Sequence, residues 1–298
     1  MRLARYRAKN RRGYGILMED SVVCFPSLAK LWDEDIPASL EEFISAGSKA
    51  LEAAERIGEL VKRKDAEDSA IHALNPLLLA PLISPPKIIC LGLNYQDHVE
   101  EQHATVPEEP IIFLKPRTTI VGPNQNIVKP DFVKQLDYEA ELAIVVGKKA
   151  KNISLSDAKS CVFGYTILND VSARDLQFKD KQWTRGKSLD TFAPIGPCIA
   201  TRNQMTDTSN LLIRTWVNDE LRQDSTTAHM IFNVSEIIHH ISRIMTLEPC
   251  DIIATGTPAG VGFAQKPKPK FLKANDIIRI EIEKIGVLEN KVIEEASG

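Results

Sequence analysis

Asp137-Tyr138-Glu139-Ala140-Glu141-Leu142-Ala143-Ile144-Val145-Val146 sets three carboxylates two residues apart and runs straight into an apolar stretch. A β-strand alternates its side chains between two faces, so in an extended segment Asp137, Glu139 and Glu141 point the same way. Like charges so crowded raise one another's pKa, and a hard divalent cation with oxygen ligands is the simplest neutraliser. The competing reading is a solvated acidic edge strand whose charges discourage pairing with other chains, and spacing alone favours it. The apolar half points to a β-rich fold, because comparable runs recur at Ile88-Ile89-Cys90-Leu91, Ile111-Ile112-Phe113-Leu114 and Ile277-Ile278-Arg279-Ile280-Glu281-Ile282, with Gly or Pro nearby.

Working outward, residues 1 to about 35 suit a short β-meander around Gly13 and Gly15. From Ser39 to about Lys64, Leu40, Phe43, Ile44, Leu51, Ile57, Leu60 and Val61 recur at helix spacing, and Ser39 with Glu42 resembles a capping box. The prolines of Pro81-Leu82-Ile83-Ser84-Pro85-Pro86 interrupt both helix and central strand, which places a domain boundary there. Beyond it, the clearest helix runs from Ser235 to Met245, with Ile237, Ile238, Ile241, Ile244 and Met245 on a buried stripe and His239 and Arg243 outward. The expected class is α+β: a small N-terminal α+β domain over residues 1–80 and a larger domain over 85–298 dominated by mixed sheets.

A chain of 298 residues can bury a substantial core without disulfides or a structural metal. A net charge of -3 with no long block of like charge gives no pull toward nucleic acid or an anionic membrane, so the expected partner is a small molecule. Cys24, Cys90, Cys161, Cys198 and Cys250 are odd in number, scattered and free of any C-x-x-C pair, as buried thiols of a reducing compartment would be. No apolar run approaches the roughly 18 residues of a membrane helix, and Met1-Arg2-Leu3-Ala4-Arg5-Tyr6 lacks an apolar signal core. The expected location is cytoplasmic, with mitochondria as the alternative.

Three further segments carry chemistry-bearing residues. Gly164 to Asn169 is an apolar strand ending in Asp170-Val171-Ser172-Ala173-Arg174-Asp175; strand ends favour sites, yet Asn169, Asp170 or Ser172 would equally cap a following helix. In Gly92-Leu93-Asn94-Tyr95-Gln96-Asp97-His98-Val99-Glu100-Glu101, His98 and Glu101 stand one helical turn apart, a spacing that orients a general base but also occurs on ordinary surfaces. The loop Thr255-Gly256-Thr257-Pro258-Ala259-Gly260-Val261-Gly262 lets backbone approach a ligand or simply makes a tight turn. It lacks the Lys-Ser/Thr of a phosphate-cradling loop, so nucleotide chemistry has no support.

In order and with these separations, G-L-N-Y-x-D-H at 92–98, D-Y-E-A-E-L at 137–142, N-D-V-S-A-R-D at 169–175, G-K-S-L-D-T at 186–191 and T-G-T-P-A-G-V-G at 255–262 resemble the fumarylacetoacetate hydrolase family across roughly residues 85–292. The branch that acts on acylpyruvates and oxaloacetate is the most similar. The resemblance implies a mixed β-roll, a homodimer, and Mg²⁺ or Mn²⁺ (Ca²⁺ as a further candidate) held by Glu139, Glu141 and Asp170. It also implies a His98–Glu101 dyad on a lid, Lys187 as a catalytic cation, and Arg174, Gln177, Thr257 and Lys115 as contacts of a 2-oxo acid substrate. The founding enzyme's fourth carboxylate ligand has no counterpart in Leu91-Gly92-Leu93-Asn94, and Leu93 stands where many relatives carry Arg or Lys.

The activity so implied is metal-dependent hydrolysis of a C–C bond in a 2,4-dioxo acid, releasing a pyruvate-type product. Oxaloacetate decarboxylation or tautomerisation, isomerisation of a 2-hydroxyhepta-2,4-diene-1,7-dioate, and a non-catalytic metal- or metabolite-binding scaffold are the alternatives.

Overall fold

The computed structural model describes residues 1–8, 11–19, 21–32, 35–63, 72–74, 76–179 and 182–296. The expected meander is present: β1 (Arg2–Ala8), β2 (Arg11–Leu17) and β3 (Ser21–Cys24) pair antiparallel in sequence. Gly15 is required there, since a Cβ would sit 1.7 Å from the Val23 carbonyl oxygen. Then follow α1 (Phe25–Trp32), α2 (Leu40–Ala46) and α3 (Ser48–Arg63). The single helical stretch expected from Ser39 is therefore two helices. Gly47 adopts φ +66° between them, a conformation that ends a helix and that a glycine reaches without steric cost. Ser39 does cap α2, accepting from the Glu42 amide at 3.2 Å. Lys64 lies outside the described residues.

Short strands β4 (His72–Leu74) and β5 (Leu77–Leu79) lead to β6 (Ile88–Gly92), α4 (Gln96–Glu101) and β7 (Ile111–Lys115). Next come β8 (Ile120–Val121), β9 (Ile127–Lys129), β10 (Leu136–Asp137), β11 (Ala140–Val146), α5 (Leu155–Ala158), β12 (Val162–Asn169) and β13 (Ser172–Ala173). The chain continues with α6 (Arg174–Gln177), α7 (Thr184–Lys187), β14 (Ala193–Thr201), β15 (Leu212–Val217), β16 (Glu220–Thr226), α8 (Val234–Ile244), β17 (Ile252–Ala254), β18 (Ile277–Ile282) and β19 (Gly286–Glu294).

One large sheet runs β4-β3-β2-β1-β14-β12-β11-β17-β6-β7, with β5 on β1 and β8 on β14. A second sheet, β16-β15-β18-β19-β9, packs on it through β11 against β15, β12 against β18 and β14 against β19. This is the α+β mixed roll expected from the sequence. At its centre, β11 and β12 are buried along their whole length, which is why their Val/Ile-rich sequences are nearly continuous in apolar residues.

The N-terminal segment is not a separate core. β1 pairs with β14, Leu3 opposite Ile199, and Tyr14, Phe25, Phe43 and Phe163 form a chain of ring contacts 5.6–6.2 Å apart, Phe163 lying on β12. The prolines at 81–86 mark a change in chain order within a shared sheet and a shared core. Two domains at that boundary remain a proposal about sequence units. In α8, Ile237, Ile238 and Ile241 are buried as expected, whereas Ile244 is 64% exposed because the helix ends there and its last turn overhangs the core.

Candidate active site

Strand pairing gathers the motifs at one end of the roll. Ala140 at the start of β11 lies opposite Asn169 at the end of β12; Ala143 lies opposite Ala254, the last residue of β17, which in turn lies beside Cys90 of β6. Residues just beyond these ends, Asp170, Thr255 to Gly262 and Gly92 to Glu101, therefore converge on Glu139 and Glu141. The Asn169 side chain sharpens the register, its Oδ1 accepting from the Glu139 amide at 3.0 Å while the Asp170 amide donates to the Glu139 carbonyl at 2.9 Å.

Glu139, Glu141 and Asp170 are buried, and each offers one carboxylate oxygen within 4.8 Å of the others. Asp137 does not join them. Strand geometry lapses at Tyr138 and Glu139, and Asp137 turns to accept from Arg174 Nε at 2.8 Å and from the amides of Gly262 and Phe263 at 2.7 and 3.1 Å. The reading of an acidic edge strand is overturned too, since β11 is sandwiched between β12 and β17.

Cations thread the carboxylates. Lys187 Nζ donates to Glu139 Oε2 at 2.7 Å and to Asp170 Oδ2 at 2.8 Å; Arg174 reaches Glu139 Oε1 at 2.7 Å; Lys115 Nζ lies 2.5 Å from Asp170 Oδ1. Burial alone would raise the Glu139 pKa, but Lys187 and Arg174 outweigh it and hold it at about 2. Glu141 behaves oppositely: burial, then repulsion from Asp170 and Glu139, pushes its carboxyl well above the usual range. Its Oε2 accepts from the Gly256 amide at 2.7 Å, while the buried Oε1 has no hydrogen-bond partner among the described residues.

An orphaned carboxylate oxygen facing two other carboxylates fits a hard divalent cation. With Glu141 ionised by a bound divalent ion, the four carboxylates Asp137, Glu139, Glu141 and Asp170, the three cations Lys115, Arg174 and Lys187 and the ion would sum to one positive charge. Such a site suits an anionic ligand.

Beside this cluster a cavity of about 80 Å³ is lined by Leu93, His98, Gln102, Glu139, Arg174, Gln177, Lys187 and Thr257, with Phe113, Trp183 and Phe263 among its apolar walls. His98 is 4% exposed, so its pairing with Glu101 is not a surface contact; its Nδ1 lies 3.3 Å from Glu101 Oε2, and Glu101 Oε1 accepts from the Gly260 amide at 2.9 Å. A carboxylate at Nδ1 keeps the proton there and leaves Nε2 as the basic nitrogen. Gln102 Nε2 covers it at 2.5 Å. Gln177 Oε1 accepts from Arg174 at 2.9 Å. Lys115 departs from the expected arrangement: fully buried, its ammonium is taken up by Asp170 and the Val171 carbonyl, and it stands behind the carboxylate instead of on the cavity wall.

Helix capping does not account for the 169–175 segment. The residue before α6 is Ala173, which makes no capping bond, and Ser172 Oγ donates to the Asp170 carbonyl at 2.9 Å. The glycine loop both turns and serves the site: Gly256 (φ +95°) presents its amide to Glu141, and Gly260 (φ +101°) to Glu101. Sequence reasoning gave no role to Asn94, which bonds the Phe232 and Thr255 carbonyls and the Phe232 amide and so anchors the turn before α4. Gln102, Trp183 and Gln223 were missed as well, because single polar or aromatic residues outside a motif carry no distinguishing signal.

The profile of the fumarylacetoacetate (FAA) hydrolase C-terminal family matches residues 87–293, well over half of the chain. This chain belongs to the fumarylacetoacetate hydrolase family. Members similar to it include the mitochondrial oxaloacetate tautomerase fahd2 of Xenopus laevis, 46% identical over 267 residues that cover 88% of this chain and 81% of that protein. Among solved family structures, a fumarylacetoacetate hydrolase from psychrophilic Exiguobacterium antarcticum is 38% identical, with a TM-score of 0.84, covering 99% of this chain and 100% of that one. Maleylpyruvate hydrolase from Sphingobium sp. SYK-6, solved with manganese(II) ion and pyruvate, is 30% identical, with a TM-score of 0.77 and coverage of 99% and 100%. Family members thus named are enzymes acting on small molecules. Among the described residues no helix is long and apolar enough to cross a membrane.

Proposed function

We propose that this chain is a divalent-metal-dependent enzyme of small 2-oxo acids whose first reaction is keto–enol tautomerisation of oxaloacetate. The observation that carries it is the buried, unpartnered Glu141 Oε1 among Glu139 and Asp170, beside a cavity that holds one imidazole, His98. The 46% identity to an oxaloacetate tautomerase supports tautomerisation ahead of the C–C hydrolysis expected first from the sequence.

Glu139, Glu141 and Asp170 would hold Mg²⁺ or Mn²⁺, which when bound supplies the Lewis acidity that stabilises enolate charge at the 2-oxo oxygen. His98, oriented by Glu101, would take the proton from C3 as the C2–C3 double bond forms and the carbonyl electron pair moves onto oxygen. The imidazolium would return that proton to the 2-oxo oxygen to give the enol. Lys187 and Thr257 offer N–H and O–H to the developing oxyanion, and Arg174 with Gln177 face the substrate carboxylate. Phe113, Trp183 and Phe263 restrict water around these charges.

A second reading rests on the same dyad. His98 would deprotonate a water that attacks C4 of a 2,4-dioxo acid, with cleavage of C3–C4 releasing pyruvate, as the resemblance to maleylpyruvate hydrolase suggests. The same enolate would result from decarboxylation. A homodimer in the cytoplasm or mitochondria belongs to this proposal and is read from mass in solution and from fractionation.

The test follows oxaloacetate enol absorbance and pyruvate release from oxaloacetate and acetylpyruvate, each with Mg²⁺, Mn²⁺ or chelator. Metal-dependent tautomerisation above the buffer rate supports the first reading, and pyruvate from acetylpyruvate transfers support to the second. Full turnover in excess chelator refutes both.

A further inference from the structure

The amide of Gln223 is fully buried on β16 and uses both ends. Its Oε1 accepts from the Ala140 amide at 3.1 Å and from Thr215 Oγ1 at 2.8 Å; its Nε2 donates to the Pro258 carbonyl at 2.9 Å and to Thr257 Oγ1 at 2.8 Å. Two of these neighbours have no choice of role. A backbone N–H only donates and a proline carbonyl only accepts, so the amide cannot be turned round without losing both bonds.

That orientation decides the hydroxyl beside it. Thr257 Oγ1 accepts a hydrogen bond from the Gln223 amide and so keeps its own hydroxyl proton free; among the described residues it has no other hydrogen-bond partner, and Thr257 lines the cavity. A hydroxyl in this state donates into the cavity. It favours ligands that place an anionic or carbonyl oxygen against it and disfavours those that place a donor there.

We propose that Gln223 is a positioning residue that fixes Thr257 as a hydrogen-bond donor to an oxygen of the 2-oxo acid. The proposal rests on the 2-oxo acid reading of the cavity but not on which reaction follows. Since Ala140 separates two carboxylates of the cluster, the same amide ties that strand to the loop bearing Thr257, so changes that act through the strand must be told apart from changes that act through the hydroxyl.

Oxalate serves as the probe, its vicinal oxygens mimicking a 2-oxo acid without turnover. Its affinity is measured by calorimetry in excess Mg²⁺ for wild type, T257V, Q223M and the double variant, with Mn²⁺ affinity measured separately. A lost hydrogen bond to a charged ligand predicts about ten- to hundredfold weaker oxalate binding in each single variant. The double variant should bind no more weakly than T257V alone, T257S should restore most of the affinity, and Mn²⁺ affinity should stay within about threefold of wild type in each.

Additive losses, a Q223M that binds oxalate as wild type does, or parallel loss of Mn²⁺ and oxalate in Q223M would each overturn the proposal. So would a wild type that does not bind oxalate. Should Q223M not melt cooperatively, Q223E takes its place: its ionised carboxylate would accept the Thr257 proton, so oxalate binding should weaken as pH rises more steeply than in wild type, and a parallel pH profile overturns the proposal. Oxalate binding without any tautomerase or hydrolase turnover would sink the reaction assignment while leaving this inference standing.

Discussion

Lys187 Nζ lies 2.7 Å from Glu139 Oε2 with both side chains almost wholly buried, so this lysine is at once a wall of the cavity and a counter-charge of the carboxylate cluster. Burial would lower its pKa, yet Asp170 and Glu139 raise it, and the ammonium stays charged. In K187M the metal-free protein keeps two buried carboxylates short of a partner and should lose about 3 kcal/mol. A divalent ion would neutralise much of that deficit. The rise in Tm on adding Mn²⁺ should therefore be larger in K187M than in wild type, while turnover is lost; an equal rise would show that the lysine and the ion do not share their carboxylates.

His98 touches Glu101 and Gln102 but none of the three carboxylates within hydrogen-bonding distance. H98A should reduce turnover by about 10²–10⁴-fold, the usual worth of a general base. Mn²⁺ affinity, read by calorimetry, should not change. Loss of the ion in step with activity would reassign the histidine.

Gly92 lies against the cavity's aromatic wall, where a Cβ would fall 2.0 Å from Trp183 Cζ3. G92A must swing the indole away, at a cost of about 1–3 kcal/mol for overpacking. With that wall displaced, KM should rise at least about fivefold with a smaller change in kcat, as lost uniform binding predicts. Steady-state kinetics beside a melting curve separate the two effects.

Lys87 Nζ lies 2.9 Å from Asp251, whose side chain is fully inaccessible, and 2.7 Å from the exposed Glu248. Burial raises the Asp251 carboxyl above its ordinary value against the pull of Lys87. A raised folded pKa means that stability declines as pH climbs through it, and removing the lysine steepens that decline. K87M should thus cost about 1–3 kcal/mol at pH 7 and progressively less as pH falls and Asp251 takes up its proton. Lys87 itself has a raised pKa, so its contribution is whole at neutral pH and fades only as pH rises through that raised value. Denaturant melts across this range check the shape; a deficit independent of pH would mean lost packing.

Much of the roll was legible because buried strands of Val and Ile announce themselves, as Ala140–Val146 and Ile277–Ile282 do. The cluster residues were reached only through the joint resemblance of five motifs, since each segment alone had an ordinary reading. Alternation placed Asp137 with Glu139 and Glu141, and it failed where strand geometry lapses at Tyr138 and Glu139 to let Asp137 grip Arg174. Contacts between distant segments left no local trace. Gln223 reads as one polar residue in a half-exposed strand, and nothing near Leu3 foretells Ile199.

Side chains alternate along β11, so Glu141 shares a face with Ala143 and Val145, and these two pack in one cluster with Leu3, Phe25, Phe43 and Ile57. The N-terminal segment therefore packs against the face of β11 that also carries Glu141. Removing residues 1–80 would admit water beneath Glu141, raise the local dielectric and weaken every attraction the carboxylates exert on a cation. Such a fragment should aggregate on size exclusion and bind Mn²⁺ more weakly; a monodisperse fragment of undiminished affinity would show that the segment is dispensable. On this geometry the N-terminal segment would act on the site through insulation, since among the described residues the clustered carboxylates are Glu139, Glu141 and Asp170 alone.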